Sequence, residues 1–112
     1  MLARLMGLKT ISPAALHELM QHEAVAILDV NSNQSWVEAH VPGAKHLDAV
    51  GYTGNDLPSD KDARLVFYCS NPLCRKAPNA ARRARSLGYT SVCVMSAGIS
   101  GWLNANLPTE SA

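Results

Sequence analysis

From Ala63 to Thr109 the chain has no aspartate and no glutamate, although nine acidic residues occur among its 112. The same stretch holds Arg64, Arg75, Lys76, Arg82, Arg83 and Arg85, so six basic and no acidic residues give it +6 in a chain whose total is +1. A basic half of this kind draws small anions by long-range steering. A solvated helix face accounts equally well for Arg82, Arg83 and Arg85. Aromatic residues make up only 5% of the chain and are not interleaved with the basic ones. That pattern, with the near-neutral total, points away from nucleic acid.

Cysteine is also scarce. Three residues, Cys69, Cys74 and Cys93, are an odd number and too few for a disulfide framework, which fits a reducing cytoplasm. Cys69 and Cys74 have no matching second pair and fall short of the usual zinc set, so neither a metal nor an organic cofactor is expected. No apolar run approaches the ~18–20 residues of a membrane span. Arg4 and Lys9 interrupt the apolar residues of Met1 to Thr10, and no small-residue cleavage site follows, so a secretory leader is not expected there. Hydrophobic residues are 47% of the chain, enough for one soluble domain over residues 1–112, with its core at about 12–108.

The punctuation alternates helix and strand. Ser12-Pro13 reads as an N-cap followed by proline in the first turn, with Ala15, Leu16, Leu19 and Met20 on one apolar face. Val25 to Val30 is a continuous apolar run interrupted only by Asp29, as expected for a strand covered on both faces. Asn31-Ser32-Asn33 then caps a short helical piece around Ser35 to Ala39. Pro42-Gly43 is a turn, Lys45 to Leu47 is extended, and Asp48 to Asp62 reads as the longest connection. Leu65 to Tyr68 is a second buried strand. Ala77, Ala80, Ala81, Ala84 and Leu87 mark one face of a helix that Gly88 stops. Ser91 to Met95 is a last strand, and Ile99 to Asn104, with Trp102, a closing helix. Strands alternating with helices predict an α/β fold with a mostly parallel central sheet flanked by helices, and function at the carboxyl ends of its strands.

Cys69 stands at such an end, ahead of a helix start. Unpaired N–H groups at a helix N-terminus and the charges of Arg75 and Lys76 stabilise a thiolate or an oxyanion, which predicts a lowered thiol pKa. Local sequence fits a small buried hydrophobe as well. Ser70, Asn71, Pro72, Leu73, Cys74, Arg75 and Lys76 are the candidate anion cradle. Cys74 is a possible second, resolving thiol for a persulfide or sulfenate on Cys69, although packing under Leu73 explains it too. Cys93, inside a strand, reads as core. His17 and His22 read as solvated, His40 as a tie between loops, His46 as a residue that could face the cleft, and Asp29 as a partner for local backbone groups. Trp36 and Trp102 read as docking aromatics.

Four stretches resemble the single-domain rhodanese-like family. They are Ile27-Leu28-Asp29-Val30 with Ala39-His40-Val41-Pro42-Gly43-Ala44; Val66-Phe67-Tyr68-Cys69; Ala80-Ala81 through Leu87-Gly88-Tyr89; and Val92 through Met95-Ser96-Ala97-Gly98-Ile99 with Trp102. The resemblance implies a sulfurtransferase. Cys69 would take sulfane sulfur from a small anionic donor such as thiosulfate, hold it as a persulfide and pass it to a thiol or protein acceptor.

Four departures stand beside this likeness. Asn31 occupies the place of the family's arginine and Ser35 that of its glutamate, so an ion pair common in the family is expected to be missing. Ala39 and Ala97 replace glycines. In the loop, where sulfurtransferases of the family place arginine five residues after the cysteine, this chain has Cys74, with Arg75 next. The Cys69-x5-Arg75 spacing is similar to phosphatases and arsenate reductases of the same fold, which is the alternative reading; the nearest acids in sequence are Asp62 and Glu110, so a catalytic acid would have to arrive through the fold, with Asp29 or Asp48 as candidates. Against it, Tyr68 stands where those phosphatases carry histidine. A redox or binding module using Cys69 and Cys74 is the second alternative. Oligomeric state cannot be read from the sequence.

Overall fold

The computed structural model describes residues 7–112, so the reading of Met1 to Thr10 falls largely outside the described residues. Five parallel strands form one sheet in the order β1-β5-β4-β2-β3, with β1 Lys9–Thr10, β2 Ala26–Asp29, β3 Lys45–His46, β4 Arg64–Tyr68 and β5 Ser91–Val94. Among the described residues four helices connect and cover them: α1 Pro13–Met20, α2 Asn33–Glu38, α3 Lys76–Ser86 and α4 Gly98–Asn104. The starts of α1 and α2 follow the expected capping chemistry. Ser12 Oγ accepts from the Ala15 N–H at 3.1 Å, and Ser32 Oγ from that of Ser35 at 3.2 Å.

Two differences from the sequence reading are local. The two-residue edge strand β1, in register with Cys93 and Val94, is too short to leave a periodic signal. A 3₁₀ turn at Gly54–Asp56 interrupts the long connection, closed by a capping box between Thr53 and Asp56.

Strand β4 is the central strand, and its side chains alternate between the two layers. Leu65, Phe67 and Cys69 belong to the cluster under α3, with Ala77, Ala80, Ala81 and Ala84. Val66 and Tyr68 belong to the cluster on the other face, with Leu16 of α1 and Trp102 of α4. Small alanines let α3 lie close on the sheet, and this alternation aims Cys69 at the start of α3. Among the described residues no helix is long and apolar enough to cross a membrane.

Candidate functional site

The site forms where the backbone leaves β4. Cys69 is 3% exposed. Its carbonyl oxygen accepts from the Ile99 N–H at 2.9 Å, and that of Ser70 from the Ser100 N–H at 3.0 Å, so the first turn of α4 grips the base of the loop. Gly98 makes that approach possible. Its φ is +67°, and a Cβ built there would stand 2.5 Å from both the carbonyl carbon and the oxygen of Ser70. Ser70 Oγ donates to Asn31 Oδ1 at 2.9 Å, which ties the loop to the turn after β2.

That neighbouring turn is itself anchored. Asp29 is wholly buried, its Oδ1 accepting from the Asn31 N–H at 2.8 Å and its Oδ2 from the Tyr68 hydroxyl at 2.6 Å. The Tyr68 oxygen in turn accepts from the Val41 N–H at 3.1 Å. Burial, then the charge of Asp29, raises the Tyr68 pKa far above the ordinary phenol, so the hydroxyl stays a donor. His46 Nε2 lies 2.8 Å from the Asn31 carbonyl oxygen. Asn31 Nδ2, behind the loop, is buried without a hydrogen-bond partner, an arrangement that costs about 1–3 kcal/mol.

Residues 71–75 form the outer part of the loop. Asn71 folds it locally, accepting from the Leu73 N–H on Oδ1 at 2.9 Å and from the Cys74 N–H on its carbonyl at 3.1 Å. Asn71, Pro72, Leu73, Arg75 and Lys76 are exposed, Leu73 at 83%. Cys74 is half-buried and returns to the cavity. Cys69 Sγ donates to the Cys74 carbonyl oxygen at 3.7 Å, and the two thiols are near enough to shift each other's ionisation. Both line a crevice with Asn71, Pro72, Ala77 and Met95 that is too narrow to hold a water molecule.

The charge on this pair is distributed otherwise than the sequence suggests. Burial pushes Cys69 up to about 12, and the hydrogen bond to Cys74 adds to the rise, while the N–H groups of Ala77 and Ser70 oppose it. Cys74 is lowered despite its own burial. The hydrogen bond from Cys69, the N–H groups of Lys76 and Ser70, and the Lys76 ammonium outweigh that desolvation. The first negative charge of the pair therefore rests on Cys74, with the proton retained by Cys69. Lys76 is the cation acting on Cys74, whereas Arg75 occupies the N-cap position of α3 and makes no side-chain capping bond.

The candidate acids are otherwise engaged. Asp29 has both oxygens hydrogen-bonded inside the sheet end, and hydrogen bonds from the Val50 and Gly51 N–H groups lower Asp48. His40 is buried, stacked on Trp36 at 4.3 Å with Nδ1 2.6 Å from the Trp36 carbonyl, and its backbone pairs with Glu110, which makes it the loop tie the sequence suggested. His22 is exposed against Glu18, and His17 meets the edge of Trp102. Sequence reading missed Asn31 and Gly98 as partners of the loop. Their signal was present only as a departure from the family pattern and as a lone glycine before a helix.

Comparison with known proteins agrees with this geometry. The slr1261 protein of Synechocystis is 30% identical over 100 residues, which are 89% of this chain and 55% of that protein. The protein named thiosulfate sulfurtransferase GlpE of Haemophilus influenzae is 29% identical over 107 residues, 96% of this chain and 99% of that protein. In the crystal structure of the BH2092 protein of Bacillus halodurans the same fold recurs with a TM-score of 0.84 at 24% identity, over 92% of this chain and 77% of that one. The chain thus spans little more than half of one relative and nearly all of another. The family model for the rhodanese-like domain matches residues 12–105, from the cap of α1 to the end of α4, and the chain belongs to the rhodanese-like domain family.

Proposed function

We propose that this protein is a sulfurtransferase that takes the sulfane sulfur of thiosulfate onto Cys69 as a persulfide and passes it to a thiol or protein acceptor. The observation that carries this reading is the placement of Cys69 Sγ at the carboxyl end of the central strand, with the Ser70 and Ala77 N–H groups directed at it. Those donors suit the negative charge that a persulfide keeps beside the sulfur. Relatives named thiosulfate sulfurtransferase that align over nearly their whole length support the same chemistry.

The pair of thiols supplies the proton transfer. Cys74 thiolate accepts the Cys69 proton, and the Cys69 sulfur then attacks the outer sulfur of thiosulfate. The sulfur–sulfur bond of the donor breaks, and sulfite leaves with the bonding pair. One thiolate and one dianion become one persulfide anion and one dianion, so charge balances. No leaving oxygen needs a proton. Lys76 and Arg75 at the rim would attract the donor, and Ser70 to Cys74 would line its path.

The oxyanion alternative lacks two things that it needs. General acid catalysis contributes 10²–10⁴-fold, yet Asp29 and Asp48 are both held by other hydrogen bonds. The cation acting on the cysteine pair is Lys76 rather than Arg75. Incubation of reduced protein with thiosulfate, followed by intact and peptide mass analysis, tests the proposal. A gain of one sulfur on the Cys69 peptide that cyanide removes is expected, and Cys69→Ser abolishes it. Turnover of arsenate or an aryl phosphate without that gain overturns the proposal.

A further inference from the structure

The persulfide reading leaves Cys74 with a second task. Cys74, half-buried where Cys69 is buried, lines the same narrow crevice, and the Cys69 thiol donates to its carbonyl oxygen at 3.7 Å. The base of the loop is held on both sides, by α4 through Ile99 and Ser100 and by Asn31 through Ser70. The tip of the segment leading to Cys74 turns on two hydrogen bonds to Asn71, with Pro72 and Leu73 exposed, and Cys74 itself meets Cys69 and the N–H groups of Lys76 and Ser70. Bond formation between the sulfurs, which brings them to ~2.05 Å, therefore displaces the outer segment and leaves the catalytic strand in place.

We infer that Cys74 resolves the persulfide on Cys69 by forming a Cys69–Cys74 disulfide and releasing the sulfane sulfur as hydrosulfide, so that the protein also reduces sulfane sulfur at the expense of a dithiol. This rests on the persulfide reading above. After sulfur transfer Cys74 holds the proton that it took from Cys69. Its sulfur attacks Cys69 Sγ, the bond from Cys69 to the outer sulfur breaks, and the Cys74 proton leaves with that sulfur as HS⁻. The outer sulfur gains two electrons, and the two cysteine sulfurs each lose one. No further oxidant is consumed. A dithiol reductant then returns the disulfide to two thiols by exchange. Lys76 and the N–H groups that favour charge on Cys74 assist its attack, and they also aid the reverse exchange by making Cys74 a good leaving group.

The test uses reduced, desalted, full-length protein carrying Cys93→Ser, which removes the third thiol, under anaerobic conditions with thiosulfate alone. Expected are release of free sulfide and a cross-link between the Cys69 and Cys74 peptides, with loss of two hydrogens. Addition of dithiothreitol makes the release continuous. Introducing Cys74→Ser, with Cys74→Ala as a second variant should serine disturb the fold, eliminates sulfide release with thiosulfate alone, before dithiothreitol, which attacks a persulfide directly, is added. Each such protein loads more slowly, for want of the Cys74 base, and after long incubation with excess thiosulfate keeps the extra sulfur on Cys69. A parent protein that stably retains the added sulfur on Cys69 and releases no sulfide overturns the inference while leaving the sulfurtransferase reading intact. Sulfur recovered on the Cys74 peptide without sulfide release overturns it as well. Absence of both sulfur gain and sulfide in every protein overturns the two readings together.

Discussion

The two halves of the loop after β4 are built on opposite plans. At its base, Cys69 and Ser70 have both carbonyls occupied by α4, the Ser70 hydroxyl bound to Asn31, and a glycine that alone permits the contact. At its tip, Asn71 to Leu73 turn on their own local hydrogen bonds and expose the most accessible large hydrophobic side chain among the described residues. The base therefore fixes a sulfur atom in space, and the tip can change shape without disturbing it. A nucleophile that must accept a group and then give it away needs both properties, since a rigid frame orients the attack and a yielding cover admits the next partner.

Gly98→Ala tests the base most severely. Its Cβ would meet backbone atoms of Ser70, at a φ that an L side chain rarely adopts. A loss on the order of 2–3 kcal/mol in urea unfolding is expected, together with loss of sulfur loading. An unchanged midpoint would show that α4 does not grip the loop. Tyr68→Phe comes next. Removing the hydroxyl strips Asp29 Oδ2 and the Val41 N–H of their shared partner inside the sheet end, for about 1–3 kcal/mol. Thermal and urea unfolding measure it, and a stable variant would show that Asp29 finds another donor.

The third prediction concerns the two thiols. Because Cys74 carries the first charge and Cys69 is pushed up to about 12, iodoacetamide near neutral pH should alkylate Cys74 first, read by peptide mass. Burial is the main cause of the rise at Cys69, and Cys74→Ser removes the thiol and charge that add to it. The pH profile for alkylation of Cys69 should then move downward, towards neutrality. A profile that stays in place would separate the two thiols electrostatically. The smallest effect is predicted at the tip, where Leu73→Ser should leave stability within ~0.5 kcal/mol of the parent. A larger change would mean that the tip is packed more firmly than its exposure indicates.

Much of the fold was legible because it is written in local chemistry. Ser12-Pro13 caps α1, the apolar runs become β2 and β4, and the alanines of α3 form the face that covers Cys69. The edge strand β1 was not legible, since two residues that pair only with β5 have no pattern of their own. In the site, Cys69 and the loop could be chosen from their position between strand and helix. The roles of Asn31 and Gly98 could not, because each acts on residues distant in sequence: Asn31 on Ser70, 39 positions away, and Gly98 on the same serine's backbone.

The sequence by itself determined the alternation of helices with strands β2 to β5, the basic second half and the place of Cys69 at a strand end, since these follow from periodicity, charge and capping along the chain. Only the tertiary structure decided which cysteine holds the charge. A thiol's ionisation depends on the groups surrounding its sulfur, and folding buries Cys69 against α3 while it turns the N–H groups of Ser70 and Lys76 and the Lys76 ammonium towards Cys74.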